Sequence, residues 1–329
     1  MNSLRVSRFT HLSSARIGSQ RWLAVLGGII ALGMIFGLLS PAFFQIRNLQ
    51  NILLHASATG ILAIGMTFVI MTAGIDISVG ANLFLAMVLA TEIALNTSST
   101  AGIVIIYAGI PLLTCLLGFV NGVLIDVVGI NPFITTLATL SIYRGAAIHV
   151  NKAIIKVTPD FSRFLGIGKI AGIPVPIFIL VLGTLAGALV LKFTRFGRYA
   201  LAIGSSSESA IKSGLPVRKV VIAAYSLAGL CAGIGGLVYL GRTGIVQPAI
   251  SSGMEFTVIT AVILGGTSLT GGRGSLLGSL LGAVFLVLID NGLNLIHASE
   301  FIYDIVRGGV LIGAILIDRA TTVRLLKRR

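Results

Sequence analysis

The chain is poor in charge, and poorest in acid: charged side chains make up 10% of its 329 residues, and only 10 are Asp or Glu. That is too little to solvate the surface of an ordinary soluble domain. It holds only two cysteines, Cys115 and Cys231, each inside an apolar run, which leaves neither a disulfide framework nor a metal spacing. The four histidines, His11, His55, His149 and His297, have no metal-ligand spacing among them. There is no G-x-x-x-x-G-K-[ST] loop, so nucleotide binding by a Walker A motif is excluded. No G-x-S-x-G nucleophile elbow stands at a strand-to-helix turn. Catalysis by this chain alone is not expected, nor is a cofactor or metal of its own.

What is present is apolar residue and glycine. Hydrophobic residues reach 56% and glycines number 41, and the mean hydropathy is +1.03. Small residues let membrane helices approach closely where the hydrophobic effect gives them no net attraction. The expected class is therefore an all-α polytopic transmembrane bundle. A bilayer core of about 30 Å takes roughly 20 apolar residues per helix. Ten runs qualify: 22–40, 53–73, 80–96, 102–128, 131–150, 175–193, 220–241, 255–270, 275–297 and 300–318. The run after Trp22 reads as an uncleaved first span, because no small-x-small site follows it before Pro41.

The net charge of +14 does not point to nucleic acid, because the basic residues gather at the ends of apolar spans. With ten spans and a cytoplasmic N-terminus, 16 of the 24 basic residues fall inside. They are Arg5, Arg8, Arg16 and Arg21, the cluster from Lys192 to Lys219, Arg273, and the tail from Arg319 to Arg329. The predicted layout is a cytoplasmic basic segment 1–21, one membrane domain 22–318, and a cytoplasmic tail 319–329. The basic loop 151–174 runs against the rule, and a partner surface would account for it.

Residues 194–219 form a polar stretch with five basic side chains inside the apolar chain. Ser205 with Glu208 three residues later is a capping-box pattern, and Gly214 followed by Pro216 ends what it starts. The spacing predicts a helix over 206–213. A helix of two turns is marginal in water unless it docks. A solvated loop stiffened by a cap is the other reading that the spacing allows.

Two further stretches break the membrane pattern. "TAGIDISVGAN", 72–82, places Asp76 and Ser78 between two apolar runs, and "ILGGTSLTGGRGSLLG", 263–278, places Thr267 and Ser268 among glycines. Irregular backbone at membrane depth survives only when buried in protein or lining an aqueous cavity. Residues 73–78 laid over 265–270 have a similar shape and hint at a parallel duplication. A tight glycine turn and a role in gating both fit. Polar residues inside or near spans are Glu92, Asn121, Asp126, Asn131, Arg144, Glu255, Asp290, Asn291, Asn294, Asp304 and Arg307. Of these Asn121 and Asn291 join Asp76, Ser78, Thr267 and Ser268 as translocation or gating candidates. Asp304 and Arg307 stand i, i+3 and predict a local ion pair.

Five blocks taken together carry a resemblance: "GMTFVIMTAGIDISVGA", "NPFITTLATLSIYRG", "TRFGRYALAIG" with "SGLPVRK", "AVILGGTSLTGGRGSLLGSLLGA" and "NGLNLI". From about Leu49 to Asp318 the chain resembles the permease subunits of ribose-type sugar ABC importers. The resemblance implies a ten-span architecture similar to the vitamin B12 importer class, in the bacterial inner membrane. It implies a dimer with a second permease copy or a paralogue, a cytoplasmic ABC ATPase that binds ATP and Mg, and a periplasmic sugar-binding protein that delivers a monosaccharide. It also implies that Gly204 to Leu215 is the coupling helix that docks on the ATPase. Of the family pattern Gly-Gly-Asn-Pro-Glu-Ala-Ala-x-x-Ser-Gly-Ile the chain keeps Gly204, Glu208, Ala210, Ser213 and Gly214. It departs at Ser205, Ser206, Ser207, Ser209 and Leu215, and Lys212 is added to the coupling candidates. A secondary transporter or channel that works without an ATPase is the alternative, and it leaves the capped helix unexplained.

Overall fold

A computed structural model describes residues 21–152, 154–248 and 250–326. The expected basic leader before residue 21 and the last three tail residues lie outside the described residues. Nine long helices and one of 11 residues occupy the ten apolar runs, and two short ones fill the polar stretch. In chain order they are α1 (Arg21–Leu39), α2 (Ile46–Met71), α3 (Val79–Asn96), α4 (Thr100–Asp126), α5 (Pro132–Asn151), α6 (Val175–Phe193), α7 (Arg195–Ser205), α8 (Ser207–Lys212), α9 (Val217–Thr243), α10 (Met254–Leu264), α11 (Leu276–Leu295) and α12 (Glu300–Leu326). Seven of the described helices, α1, α2, α3, α4, α6, α9 and α11, are long and apolar enough to cross a membrane.

The termini of these helices follow local chemistry. Pro132 opens α5 behind Asn131, whose side chain accepts from the Phe133 amide at 2.9 Å. Ser275 caps α11 by accepting from Gly278 N at 3.0 Å. α4 carries a π turn over Ile105–Gly109, just before Pro111. The run 255–270 yields only the 11-residue α10, because Gly266 turns to φ +97 and ends the helix.

Burial separates the centre from the rim. The apolar windows of α2 and α3 are 83% and 72% buried, whereas that of α1 is 17% and those of α4 and α6 are 28%. A peripheral helix with an exposed apolar face is what lipid contact requires. α9 is the hub, packed on α4, α2 and α3. It reaches α4 through small residues: a methyl on Gly229 would strike the Thr114 carbonyl, and one on Gly118 the Tyr225 carbonyl. The backbones therefore touch, as in small-xxx-small membrane packing.

The basic loop after α5 is ordered by its own partners. Lys156–Val157 (β1) pairs antiparallel with Ile245–Val246 (β4), and Lys169–Ile170 (β2) with Ile173–Pro174 (β3). Lys156 bonds Glu92. Arg163 bonds Asp160 at 2.5 Å and donates to the Gly241 carbonyl at 3.0 Å. Two of its charges are thus spent on structure inside the chain.

Candidate functional site

The polar stretch is two helices, not one. α7 runs through Ser205, whose hydroxyl donates to the Leu201 carbonyl at 2.9 Å, and Ser206 is the extended residue, at φ −166 and ψ 102. Ser206 therefore caps α8, accepting from Ser209 N at 3.2 Å. This corrects the capping box expected at Ser205 and Glu208: a residue that is still helical cannot adopt the cap conformation. Glu208 pairs forward with Lys212 at 2.6 Å instead of reaching back.

The predicted end is found. Gly214 takes φ +72, its amide bonds the Ile211 carbonyl at 2.9 Å, and Leu215 N bonds the Ala210 carbonyl at 3.0 Å. That pair of bonds is a Schellman closure. Ser213, at the C-cap, bonds Ser209 O at 3.0 Å. Ala210 turns inward onto Met71, Ala200, Ile203 and Val220. Outward, Glu208, Lys212 and the apolar Ile211 are exposed, Ile211 at 62%.

Gly204 sits at the base of this element, against α2 and the glycine-rich break. A methyl there would meet the Met71 carbonyl and the Gly272 amide, which are themselves bonded at 3.0 Å. Gly271 is packed on Ala73 and Gly204, and Gly272 on Ser205. The two breaks and the polar stretch thus meet in one backbone junction. The breaks also share a local form. Ala73 and Gly74 close α2 with bonds to Ile70 O and Val69 O, and Gly266 and Thr267 close α10 with bonds to Ile263 O and Val262 O. The match sets Ala73 opposite Gly266, one residue from the overlay drawn on sequence.

Three of the gating candidates converge. Asp76 Oδ1 accepts from Ser78 N at 2.9 Å and from Ser78 Oγ at 2.6 Å. Asn121, on α4, donates to Ser78 Oγ at 2.9 Å, and Tyr143, on α5, donates to the Leu117 carbonyl beside it at 3.1 Å. Tyr225, on α9, donates to the Ile75 carbonyl at 3.0 Å. Asp76, Ser78 and Asn121 are buried, so the first break is a polar network locked between α3, α4, α5 and α9.

Thr267 and Ser268 lie apart from it, in the second break. Thr267 Oγ1 accepts from Ser275 N at 3.4 Å, and Ser268 donates to Asp318 of α12 at 3.2 Å. Asn291 is elsewhere. It exchanges two bonds with Asn48 of α2, at 2.9 and 2.8 Å, on the wall of a cavity. Asn48 stands 23 residues before Met71, and at 1.5 Å per helical residue that puts it about 35 Å from the junction. Asp304 and Arg307 do pair, at 3.6 Å, but the main partner of Arg307 is Asp290 on α11, at 2.7 and 3.2 Å. Bidentate geometry between helices outcompetes the local pair. The residues missed from sequence are Asn48 and Asn51, which fall just before the apolar run. Their spacing with His55 and Thr59 is the helical stripe that could have shown them.

A polytopic helical bundle with buried irregular breaks, tied by backbone to a short exposed helix at one end, defines a membrane transport component. The chain belongs to the family described as branched-chain amino acid transport system / permease component, whose model matches residues 48–315. It is similar to the ribose import permease protein RbsC of Escherichia coli (strain K12), 36% identical over 315 residues, 93% of this chain and 97% of that protein. RbsC of Bacillus subtilis (strain 168) is 37% identical over 304 residues, 89% of this chain and 91% of that one. The D-allose transport system permease protein AlsC of Escherichia coli (strain K12) is 34% identical over 289 residues, 87% of each chain. No solved structure matches the chain. The resemblance to ribose-type permeases is borne out.

Proposed function

We propose that the chain is the transmembrane permease subunit of an ATP-driven importer of monosaccharides. The family description names amino acids, while RbsC and AlsC are named for sugars and align along nearly their whole length. The long, closely graded likeness favours the sugar. The chain is a transport component, and hydrolysis of ATP with Mg belongs to a separate cytoplasmic ABC ATPase. A periplasmic binding protein delivers the sugar, and a second copy or a paralogue completes the pair in the lipid of the bacterial inner membrane.

In this reading the ten apolar runs make ten crossings, in a bundle similar to the vitamin B12 importer class, and both termini are cytoplasmic. Segment 194–219 lies inside, on the side of 1–21 and 319–329, and the membrane domain spans 22–318. α8 is the coupling helix, and Gly204, Ser205, Glu208, Ala210, Lys212, Ser213 and Gly214 serve it in different ways. Ala210, Gly214 and Gly204 hold it to the bundle, while Glu208 and Lys212 face the ATPase. The observation that carries the reading is the junction of Met71, Gly204 and Gly272. Movement of α8 that carries α7 with it cannot leave the two breaks in place, because the α7 backbone at Gly204 meets them with no side chain between and has no slack to absorb it. Asp76, Ser78, Asn121, Thr267 and Ser268 then define the gate that shifts, and access alternates.

The test is reconstitution in proteoliposomes with the ATPase and the binding protein, measuring uptake of D-ribose, D-allose and L-arabinose. Uptake that requires ATP and both partners is the expected result. Uptake by the chain alone, driven by an ion gradient, would establish the secondary transporter instead.

A further inference from the structure

The end of the bundle remote from α8 holds a cavity of about 570 Å³ between α2, α9, α10, α11 and α12. That is within the range of sites for small organic molecules, about 300–1,000 Å³. We propose that this cavity, inside a single protomer, is a holding site for a neutral polyhydroxylated solute, a monosaccharide, on its way across; the proposal rests on the sugar-permease reading above.

The lining sets the ligand class. Asn48, Asn51 and Thr59 of α2 face Asn291 and Asn294 of α11, with Tyr239 and Arg242 of α9 alongside. Amides and hydroxyls donate and accept in equal measure, as a ring of vicinal hydroxyls does. An apolar solute would displace water from those groups that have no partner within the chain and offer them none in return. One of the two guanidiniums on the wall is already offset by an acid. The Arg307 guanidinium is already taken by the Asp290 carboxylate at 2.7 Å, and that carboxylate also lines the cavity.

The wall is built to give up its bonds. Asn48 and Asn291 satisfy each other through two reciprocal hydrogen bonds at 2.9 and 2.8 Å. Opening that pair frees two donors and two acceptors on facing helices, and a diol can take all four in exchange for the two bonds of the pair and its own bonds to water. The exchange is close to even in free energy, which makes binding weak and release fast. Arg242 adds a fixed donor: its guanidinium lies 5.1 Å from the centre of the Tyr239 ring, and its buried Nε has no hydrogen-bond partner. Arg307 borders a second cavity of about 420 Å³ that continues toward Thr260 and Leu311. The two cavities adjoin, sharing Ser252, Gly253, Thr257 and Arg307 in their walls.

Two measurements test the proposal in the assembled complex in proteoliposomes. The first replaces the reciprocal pair with an apolar one, Asn48→Leu with Asn291→Leu, and measures sugar uptake and ATP hydrolysis together. The expected result is at least a tenfold loss of sugar moved per ATP, with hydrolysis stimulated by the binding protein changed less than twofold. The second guards against misfolding: Asn51→Cys in a background of Cys115→Ala and Cys231→Ala is labelled with a maleimide. The sugar that the wild-type complex imports should slow labelling at least threefold, whereas the same concentration of NaCl should not. Unchanged sugar per ATP in the double variant, or labelling that ignores the sugar, overturns the site. If the wild-type complex imports none of D-ribose, D-allose and L-arabinose but does import another class of solute, the underlying function fails instead, and the two failures are distinct.

Discussion

Gly204→Ala places one methyl at the junction of α7, α2 and the second break. No position for it avoids both the Met71 carbonyl and the Gly272 amide, because those two atoms are hydrogen bonded to each other across the glycine. Restoring van der Waals separation moves the backbones apart by about 1 Å or more and gives up that bond. Overpacking costs about 1–3 kcal/mol, and a buried hydrogen bond about 1 kcal/mol. The docked junction therefore loses about 2–4 kcal/mol, and each 1.4 kcal/mol is about tenfold in population. Binding-protein-dependent uptake should fall at least tenfold while the amount of protein in the membrane stays within twofold. Gly214→Ala is the control on the same element. Its φ of +72 strains an alanine, but nothing lies within 4 Å of the added carbon, so the cost is about 1 kcal/mol and local to the cap. Wild-type uptake by Gly204→Ala, or equal losses in the two variants, would refute the reasoning that the junction transmits motion.

Ser206→Ala should speed amide exchange over 207–212 by the equivalent of about 1 kcal/mol, the usual worth of an N-cap, whereas Ser205→Ala should leave it within a few tenths; mass spectrometry of exchange reads both. Glu208→Ala should change the same exchange little, because an exposed i, i+4 pair is worth about 0.3–0.5 kcal/mol, and any larger loss of ATPase stimulation then reports the docked surface. Asp76→Ala strands the Ser78 amide and should lower thermal stability in detergent by about 1–3 kcal/mol, while Asp76→Asn keeps an acceptor and should lose less; equal losses would place the effect elsewhere. Gly229→Val should abolish accumulation of folded protein, since the Thr114 carbonyl leaves no room for a side chain, and normal abundance on a membrane blot would contradict it.

The sequence and the structure agree where the physics is local. The run at 175–193 coincides with α6, and Gly214 takes the left-handed conformation that its place before Pro216 requires. Disagreement begins where a neighbour decides. "SSSES" offers several serines as a cap. The choice fell on Ser206 because Ala200 and Ile203 pack on Met71 and carry α7 one residue further. Asp76, Ser78 and Asn121 were each legible as polar groups out of place in an apolar chain, but their meeting in one network depends on how α3 and α4 pack. Arg307 had an acid three residues away, and took the better geometry of Asp290 on another helix.

Composition and periodicity alone determined that this chain is a helical membrane protein, where most of its helices run, and that the polar segment holds a capped helix too short to stand by itself. Those properties depend on the transfer of side chains from water and on bonds between residues a few positions apart. The junction at Gly204, the buried Asp76 network and the asparagine-lined cavity were decided only by the tertiary structure. Each joins backbone or amide groups from helices far apart in the chain, and no spacing along one helix encodes which face of another it will meet.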